Sequence, residues 1–222
     1  MRLQGRRLKH AREVLRARVG ARVKVGMLGG LRGRAEVVSV DELELRLQVV
    51  LDEPPPPRAG VDLVLAMPRP KQLKRVLAAA ASLGIGKIVL LNAAKVEPSY
   101  FDSKVLDPKF LDGLLRLGLE QARDTVAPLI LVRERFRPFV EDELDPLFVQ
   151  ARRWLAHGEA SLPLPRRAAG ERVVLAIGPE GGWTPFELEL LQQRRFVPVT
   201  LGERPLRVEV AMPALVGALG PL

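Results

Sequence analysis

The sequence predicts an α/β protein in two parts, a small β-rich N-terminal portion and a larger portion built on a parallel sheet. Three observations carry this. Residues 22–50 hold short β-rich runs separated by glycines. From residue 61 onward, continuous apolar runs alternate with helical segments. Between the two patterns lies DEPPPPRAG, residues 52–60, whose four prolines can enter neither a helix interior nor a central strand. With 222 residues and 47% hydrophobic content, the chain can bury a small core and a medium one.

The elements follow in order. RVKVGML and AEVVSV read as strands, punctuated by Gly29, Gly30 and Gly33. DELELRLQVV alternates and places Leu43, Leu45, Leu47 and Val49 on one face. Short strands with glycine turns point to a small barrel. Beyond the linker, VDLVLAM is an apolar run, RPKQLKRVLAAAASLG is a helix closed by glycine, and KIVLL is a buried strand. Residues 104–123 form a helix carrying Leu111, Leu114, Leu115 and Leu119. APLILV, ARRWLAH, RVVLAIG and FVPVTLG are strands, TPFELELLQQRR is a helix, and VEVAMPALVGALG is the closing helix. Apolar strands alternating with helices mean a parallel sheet covered on both faces.

Composition narrows the function. Thirty-five basic residues against 26 acidic ones give a net charge of +9. Such an excess favours a polyanionic partner through phosphate neutralisation. Eleven Arg or Lys fall in the first 34 residues against one acid, Glu13, and that segment reads as a docking surface. Cysteine is absent, which excludes disulfides, cysteine zinc sites and a cysteine nucleophile. No apolar run reaches membrane-spanning length and no secretory signal opens the chain, so a cytoplasmic protein is expected. His10 and His157 are the only histidines and lie far apart, so no metal site is expected.

Two glycine-rich turns stand at strand ends, where open α/β sheets bind ligands. The first is Ile177, Gly178, Pro179, Glu180, Gly181, Gly182 and Trp183. The helix after it is well started, with Thr184 as N-cap, Pro185 at the first helical position and Glu187 as capping-box partner. It is not a phosphate loop, since no Lys-Ser/Thr pair follows. The second turn is Leu201, Gly202, Glu203, Arg204, Pro205, Leu206 and Arg207, leading into Val208, Glu209, Val210 and Ala211. Trp183 and Met67 are expected to pack in the core.

Together, GPEGG at 178–182 and LRVEVA at 206–211 resemble the RsmE-type family of 16S ribosomal RNA methyltransferases, which act on N3 of a uridine and belong to the SPOUT superfamily. LAHGEA at 155–160, Glu120-Gln121, and His10 with Val14-Leu15-Arg16 are weaker points of similarity. The chain departs from the family where two threonines are replaced by Val208 and Val210. It departs again where Asp124 stands in place of an arginine, where AAAASLG has lost a charge pair, and where NAAKVEPSY lacks the usual Arg-Ser.

The resemblance implies a PUA-like N-terminal β-barrel over residues 1–60 for RNA docking, and a SPOUT α/β domain over 61–222 with a C-terminal trefoil knot. It implies S-adenosylmethionine as cofactor, bound by Leu155, Ala156, His157, Ile177, Gly178, Pro179, Glu180, Gly181, Leu201, Gly202, Pro205 and Leu206. Arg207 is the expected guanidinium that stabilises charge on the uracil oxygens, with Glu209 orienting it or helping proton loss. Arg6, Arg7, Lys9, His10, Arg16 and Arg123 are the expected RNA contacts. The partners implied are ribosomal RNA or the small ribosomal subunit, and a second copy in a homodimer. Two alternatives stay open: a SPOUT methyltransferase with another RNA target, and a non-catalytic RNA-binding relative.

Overall fold

The computed structural model describes residues 1–221; Leu222, the last residue of the expected second domain, lies outside the described residues. The chain forms two compact units. One comprises Met1–Pro56 together with Arg123–Val126, and the other takes the remainder.

The first unit contains β1 (Arg2–Leu3), α1 (Gly5–Glu13), β2 (Arg22–Gly26), β3 (Arg32–Val40) and β4 (Leu45–Glu53). They form a four-stranded antiparallel sheet in the order β1-β4-β3-β2. Ala35 and Val37 of β3, and Leu45 and Leu47 of β4, alternate inward, and Leu8 and Ala11 of α1 cover them. Leu43 does not join that face. It is 80% exposed, because Asp41 turns the chain there by accepting the amide hydrogens of Leu43 and Glu44, both at 2.8 Å. The backbone donors of Glu44 and Leu43 also hold the Asp41 carboxyl below its usual range. The start of the expected linker, Asp52 and Glu53, is the end of β4.

The second unit contains β5 (Val61–Ala66), α2 (Pro70–Ser82), β6 (Lys87–Leu91), α3 (Pro108–Ala122) and β7 (Leu129–Arg133). The short α4 (Phe136–Pro138) and α5 (Leu144–Leu147) flank a π-helical stretch, and β8 (Arg152–Ala156), β9 (Val173–Ile177), α6 (Pro185–Gln193), β10 (Val197–Val199) and α7 (Val208–Ala218) follow. Six strands make one wholly parallel sheet in the order β10-β8-β9-β5-β6-β7. Every residue of β5 and β9 is buried, as expected of central strands covered on both faces. The helix expected from residue 104 begins at Pro108, after a short 3-10 turn over Lys104–Leu106.

α2 packs on both α3 and α7. The α2–α3 crossing is close because Gly118 has no side chain: a Cβ there would lie 2.2 Å from the Ala78 carbonyl oxygen. The Ser82 hydroxyl lies 3.0 Å from the carbonyl oxygens of both Ala78 and Gly118 and ties the helices at that point. Among the described residues, no helix is long and apolar enough to cross a membrane.

On β8, Arg153 is almost fully buried and pairs with Asp145, which also pairs with Arg194 at 3.0 Å. The Arg153 guanidinium further donates to the Arg194 carbonyl at 2.7 Å. Partial burial opposes ionisation of Asp145, but the hydrogen bonds and charges of Arg153 and Arg194 prevail and hold its carboxyl below the ordinary 3.8.

Candidate functional site

The C-terminal ends of β8, β9 and β10 lie side by side, and the segments leaving them enclose a cleft of about 610 Å3. Its walls are Ala156–Glu159, Ile177–Trp183 with Pro185 and Leu188, Val199–Gly202 with Arg204–Leu206, two α7 residues, Ala211 and Leu215, and Lys95. The crevice beyond the strand ends of a parallel sheet is where such folds take ligands.

Each turn has a local cause. Gly182 has φ 70°, a left-handed conformation suited to glycine, and its amide closes the turn by donating to Pro179 at 2.8 Å. Gly178 makes room for a large neighbour: a Cβ there would sit 3.0 Å from the Trp183 indole nitrogen. Trp183 is buried, as expected of a core residue, and packs 5.9 Å from the Phe136 ring centroid. Its ring nitrogen has no hydrogen-bond partner among the described residues. Gly202 has φ 122°, and the Thr200 hydroxyl brackets it by contacting its amide and its carbonyl at 3.0 Å each.

α6 begins with the expected capping box between Thr184 and Glu187. Glu187 does more than cap. It is buried, accepts from the Thr184 amide and hydroxyl at 2.8 and 2.9 Å, and with its other oxygen accepts from the Ala94 amide at 2.7 Å. That bond ties the segment after β6 to the GPEGG turn.

The structure gathers eleven of the twelve expected cofactor residues around this cleft. Leu155 is the exception. It is fully buried within β8 and does not line the cleft, because consecutive strand residues face opposite sides of a sheet. Lys95, Thr200 and Arg204 line the cleft without having been expected. Lys95 follows the end of β6 and Arg204 lies inside the second turn, so position at a strand end was the available signal for both.

Arg207 and Glu209 stand apart from the cleft lining. Arg207 is exposed at the N-cap of α7, and its backbone carbonyl accepts from Ala211 at 2.7 Å. Glu209 does not orient it. Its carboxylate instead lies 3.7 Å from Arg75 of α2, while its second oxygen is buried without a hydrogen-bond partner among the described residues. Residues two apart at a helix start do not face one another, which is why the expected pair is not formed.

The expected RNA contacts lie in the first unit. Arg6, Arg7, Lys9 and His10 project from the exposed side of α1, and Arg16 is exposed just beyond it. Arg123, distant in sequence, belongs to the same unit and is also exposed. Its carbonyl accepts from Arg32 at 3.3 Å, and the neighbouring Thr125 bonds through its own carbonyl to Gly29 at 2.7 Å.

Residues 55–220 match the RNA methyltransferase domain family. The chain is 32% identical to ribosomal RNA small subunit methyltransferase E of Treponema pallidum, over 92% of this chain and 79% of the relative. It is 30% identical to the protein of the same name in Mycobacterium bovis, over 96% and 83%. Among solved structures it is similar to a Neisseria gonorrhoeae ribosomal RNA small subunit methyltransferase E bound to S-adenosyl methionine, with TM-score 0.77, 19% identity, and 99% and 90% of the two chains covered. A probable rRNA methyltransferase of Porphyromonas gingivalis superposes with TM-score 0.70 at 22% identity, over 98% and 90%.

Proposed function

The chain belongs to the RNA methyltransferase domain family, and on that premise we propose that it transfers the methyl group of S-adenosylmethionine to N3 of a uridine in 16S ribosomal RNA. The observation that carries this is the cleft assembled from the ends of β8, β9 and β10, with GPEGG on one wall and the Leu201–Leu206 turn on another.

The cleft suits that cofactor chemically. Gly158, Gly178, Gly181, Gly182 and Gly202 offer only main-chain polar atoms, which fit the donor and acceptor edge of an adenine and a ribose. Ile177, Leu201, Pro205 and Leu206 supply an apolar surface for the purine. Glu159 and Glu180 stand near the cationic Arg204, a mixture matching a ligand that carries an ammonium, a sulfonium and a carboxylate. When bound, the cofactor supplies a methyl group on a cationic leaving group, already activated for displacement.

The residues then have to hold the uridine in line and favour loss of the N3 proton. Arg207 is exposed beside the second turn and pairs with no carboxylate among the described residues, so its guanidinium is available to the oxygens flanking N3 as charge develops there. Glu209, held toward Arg75, secures the start of α7 from which Arg207 projects.

The same reading extends to the architecture. The loop between β8 and β9 exchanges backbone hydrogen bonds with the C-terminal region, Thr200 to Leu162, Leu164 to Thr200 and Arg167 to Leu219, at 2.9 to 3.0 Å. A loop gripping the C-terminal segment on both sides of α7 supports a trefoil knot. The four-stranded antiparallel sheet under α1 supports a PUA-like barrel that docks RNA through Arg6, Arg7, Lys9, His10, Arg16 and Arg123. Exposed Phe186, Leu206 and Val210 support a homodimer.

Nucleoside mass spectrometry of 16S ribosomal RNA treated with the purified protein and labelled S-adenosylmethionine tests the reading. Labelled 3-methyluridine is the expected product. A different methylated nucleoside would point to another target, and cofactor binding without any transfer would point to a non-catalytic relative.

A further inference from the structure

Lys95 is set apart from the other residues around the cleft. Among the described lining residues it alone comes from the connection between β6 and α3; the rest come from the ends of β8, β9 and β10 or from α6 and α7. Its ammonium donates to the carbonyl oxygen of Gly181 at 2.7 Å. A Cβ added to Gly181 would lie 3.0 Å from its Cδ. Gly182 is a glycine for its positive φ, whereas Gly181 has no such conformation and is a glycine for space, which the stem of Lys95 fills.

The lysine also starts from a fixed base. The amide of the residue before it, Ala94, is held by buried Glu187 at 2.7 Å. The residue after it, Val96, is buried and its amide donates to Ala93 at 2.9 Å. A backbone pinned on both sides reduces the freedom lost when the side chain reaches across the turn.

We propose that Lys95 is a positioning residue for the cofactor turn: it clamps the Gly181 carbonyl and so presets the GPEGG backbone to receive the cofactor. This rests on the reading of the cleft as an S-adenosylmethionine site. Lys95 is exposed, so the bond adds little to global stability. Its effect falls on the shape of the turn, and a preset turn spares the cofactor the cost of ordering it.

The test is calorimetry with S-adenosylmethionine and its demethylated product on the full chain, with melting temperatures and steady-state kinetics on the same samples. Lys95→Met keeps the stem and removes the charge. It should weaken cofactor Kd about three- to tenfold, the range of one modest hydrogen bond. KM for the cofactor should rise in parallel, with kcat at saturation and melting temperature unchanged. Lys95→Arg should recover part of the affinity. Gly181→Ala, whose Cβ makes the lysine stem give by a few tenths of an ångström, should weaken affinity by no more than Lys95→Met does. In a Lys95→Ala background the same glycine change should cost nothing further, because the obstructing stem is gone. Wild-type affinity in Lys95→Met, or fully additive losses in the double variant, would overturn the clamp while leaving the cofactor site intact. Failure of the unmodified protein to bind either ligand would overturn the site reading, and the clamp with it.

Discussion

Asp145→Asn should destabilise the protein by about 2 kcal/mol at neutral pH, and the loss should disappear in acid. The side chain of Arg153 is 5% exposed and that of Asp145 is 37% exposed. Stranding one member of a fully buried pair costs about 3–5 kcal/mol, and losing an exposed pair costs under about 1. The half-open carboxylate places this pair between those limits, and the Arg194 carbonyl remains to receive Arg153 at 2.7 Å. The carboxyl of Asp145 titrates below its ordinary 3.8, so its contribution is complete above that value and is lost as pH falls through the lower folded value. In a chain of this size, about 2 kcal/mol corresponds to a melting-temperature decrease of roughly 4–8 °C. Paired thermal scans of wild type and variant from pH 7 to pH 3 measure it. The gap should hold constant down to about pH 4 and narrow only below it. A gap that persists unchanged at the lowest pH where both proteins fold would refute the charge-pair reasoning, and so would equal melting temperatures at pH 7.

Other substitutions probe other parts of the molecule. Gly118→Ala should destabilise by about 1–3 kcal/mol, because its Cβ meets the Ala78 carbonyl, part of a helix backbone that cannot swing aside; chemical denaturation measures this, and a neutral result would show that α2 and α3 can separate freely. Glu187→Gln should lower both stability and cofactor affinity, since one carboxylate holds the start of α6 and the Ala94 amide, and a variant with normal calorimetry would remove Glu187 from the site's support. Replacing Arg6, Arg7 and Lys9 by alanine should weaken RNA binding and flatten its salt dependence by up to about three phosphate contacts, with cofactor affinity unchanged; an unaltered slope in filter-binding titrations would move RNA docking elsewhere. Arg207→Ala should slow single-turnover methylation about a hundredfold or more while sparing cofactor affinity, and near-normal turnover would shift the role to Arg204, which lines the cleft.

The sheet and most of the cleft were legible in the sequence because their signals are local. Runs such as VDLVLAM and RVVLAIG are short, rich in valine and apolar without alternation, which suits a strand buried on both faces, and β5 and β9 are those strands. Thr184, Pro185 and Glu187 announce a helix start by spacing alone, and the capping box is present. What stayed hidden depends on partners far along the chain. α1 shows only Leu8 and Ala11 to the core within a run of charges, too thin a stripe for periodicity to separate from a basic arm. The insertion of β9 between β8 and β5 has no sequence marker, since parallel pairing places no residue pattern on its partner strand. Lys95 reads as an ordinary lysine until the fold carries it to Gly181, and Glu209 reads as a partner of Arg207 until α2 brings Arg75 beside it.

The glycine-built walls of the cleft have a consequence for inhibition and resistance. Five of the lining residues are glycines, and their polar atoms belong to the main chain. A competitor that hydrogen-bonds to those atoms meets groups that every amino acid except proline carries, so most exchanges of side chain cannot withdraw them. Escape would have to come from blocking space instead, by adding a Cβ at one of these glycines. At Gly178 that atom would press on Trp183, and at Gly182 and Gly202 it would require a left-handed backbone that larger residues resist. If the cofactor occupies this cleft as proposed, an inhibitor confined to its main-chain edge therefore leaves the enzyme few escape routes that the cofactor would tolerate.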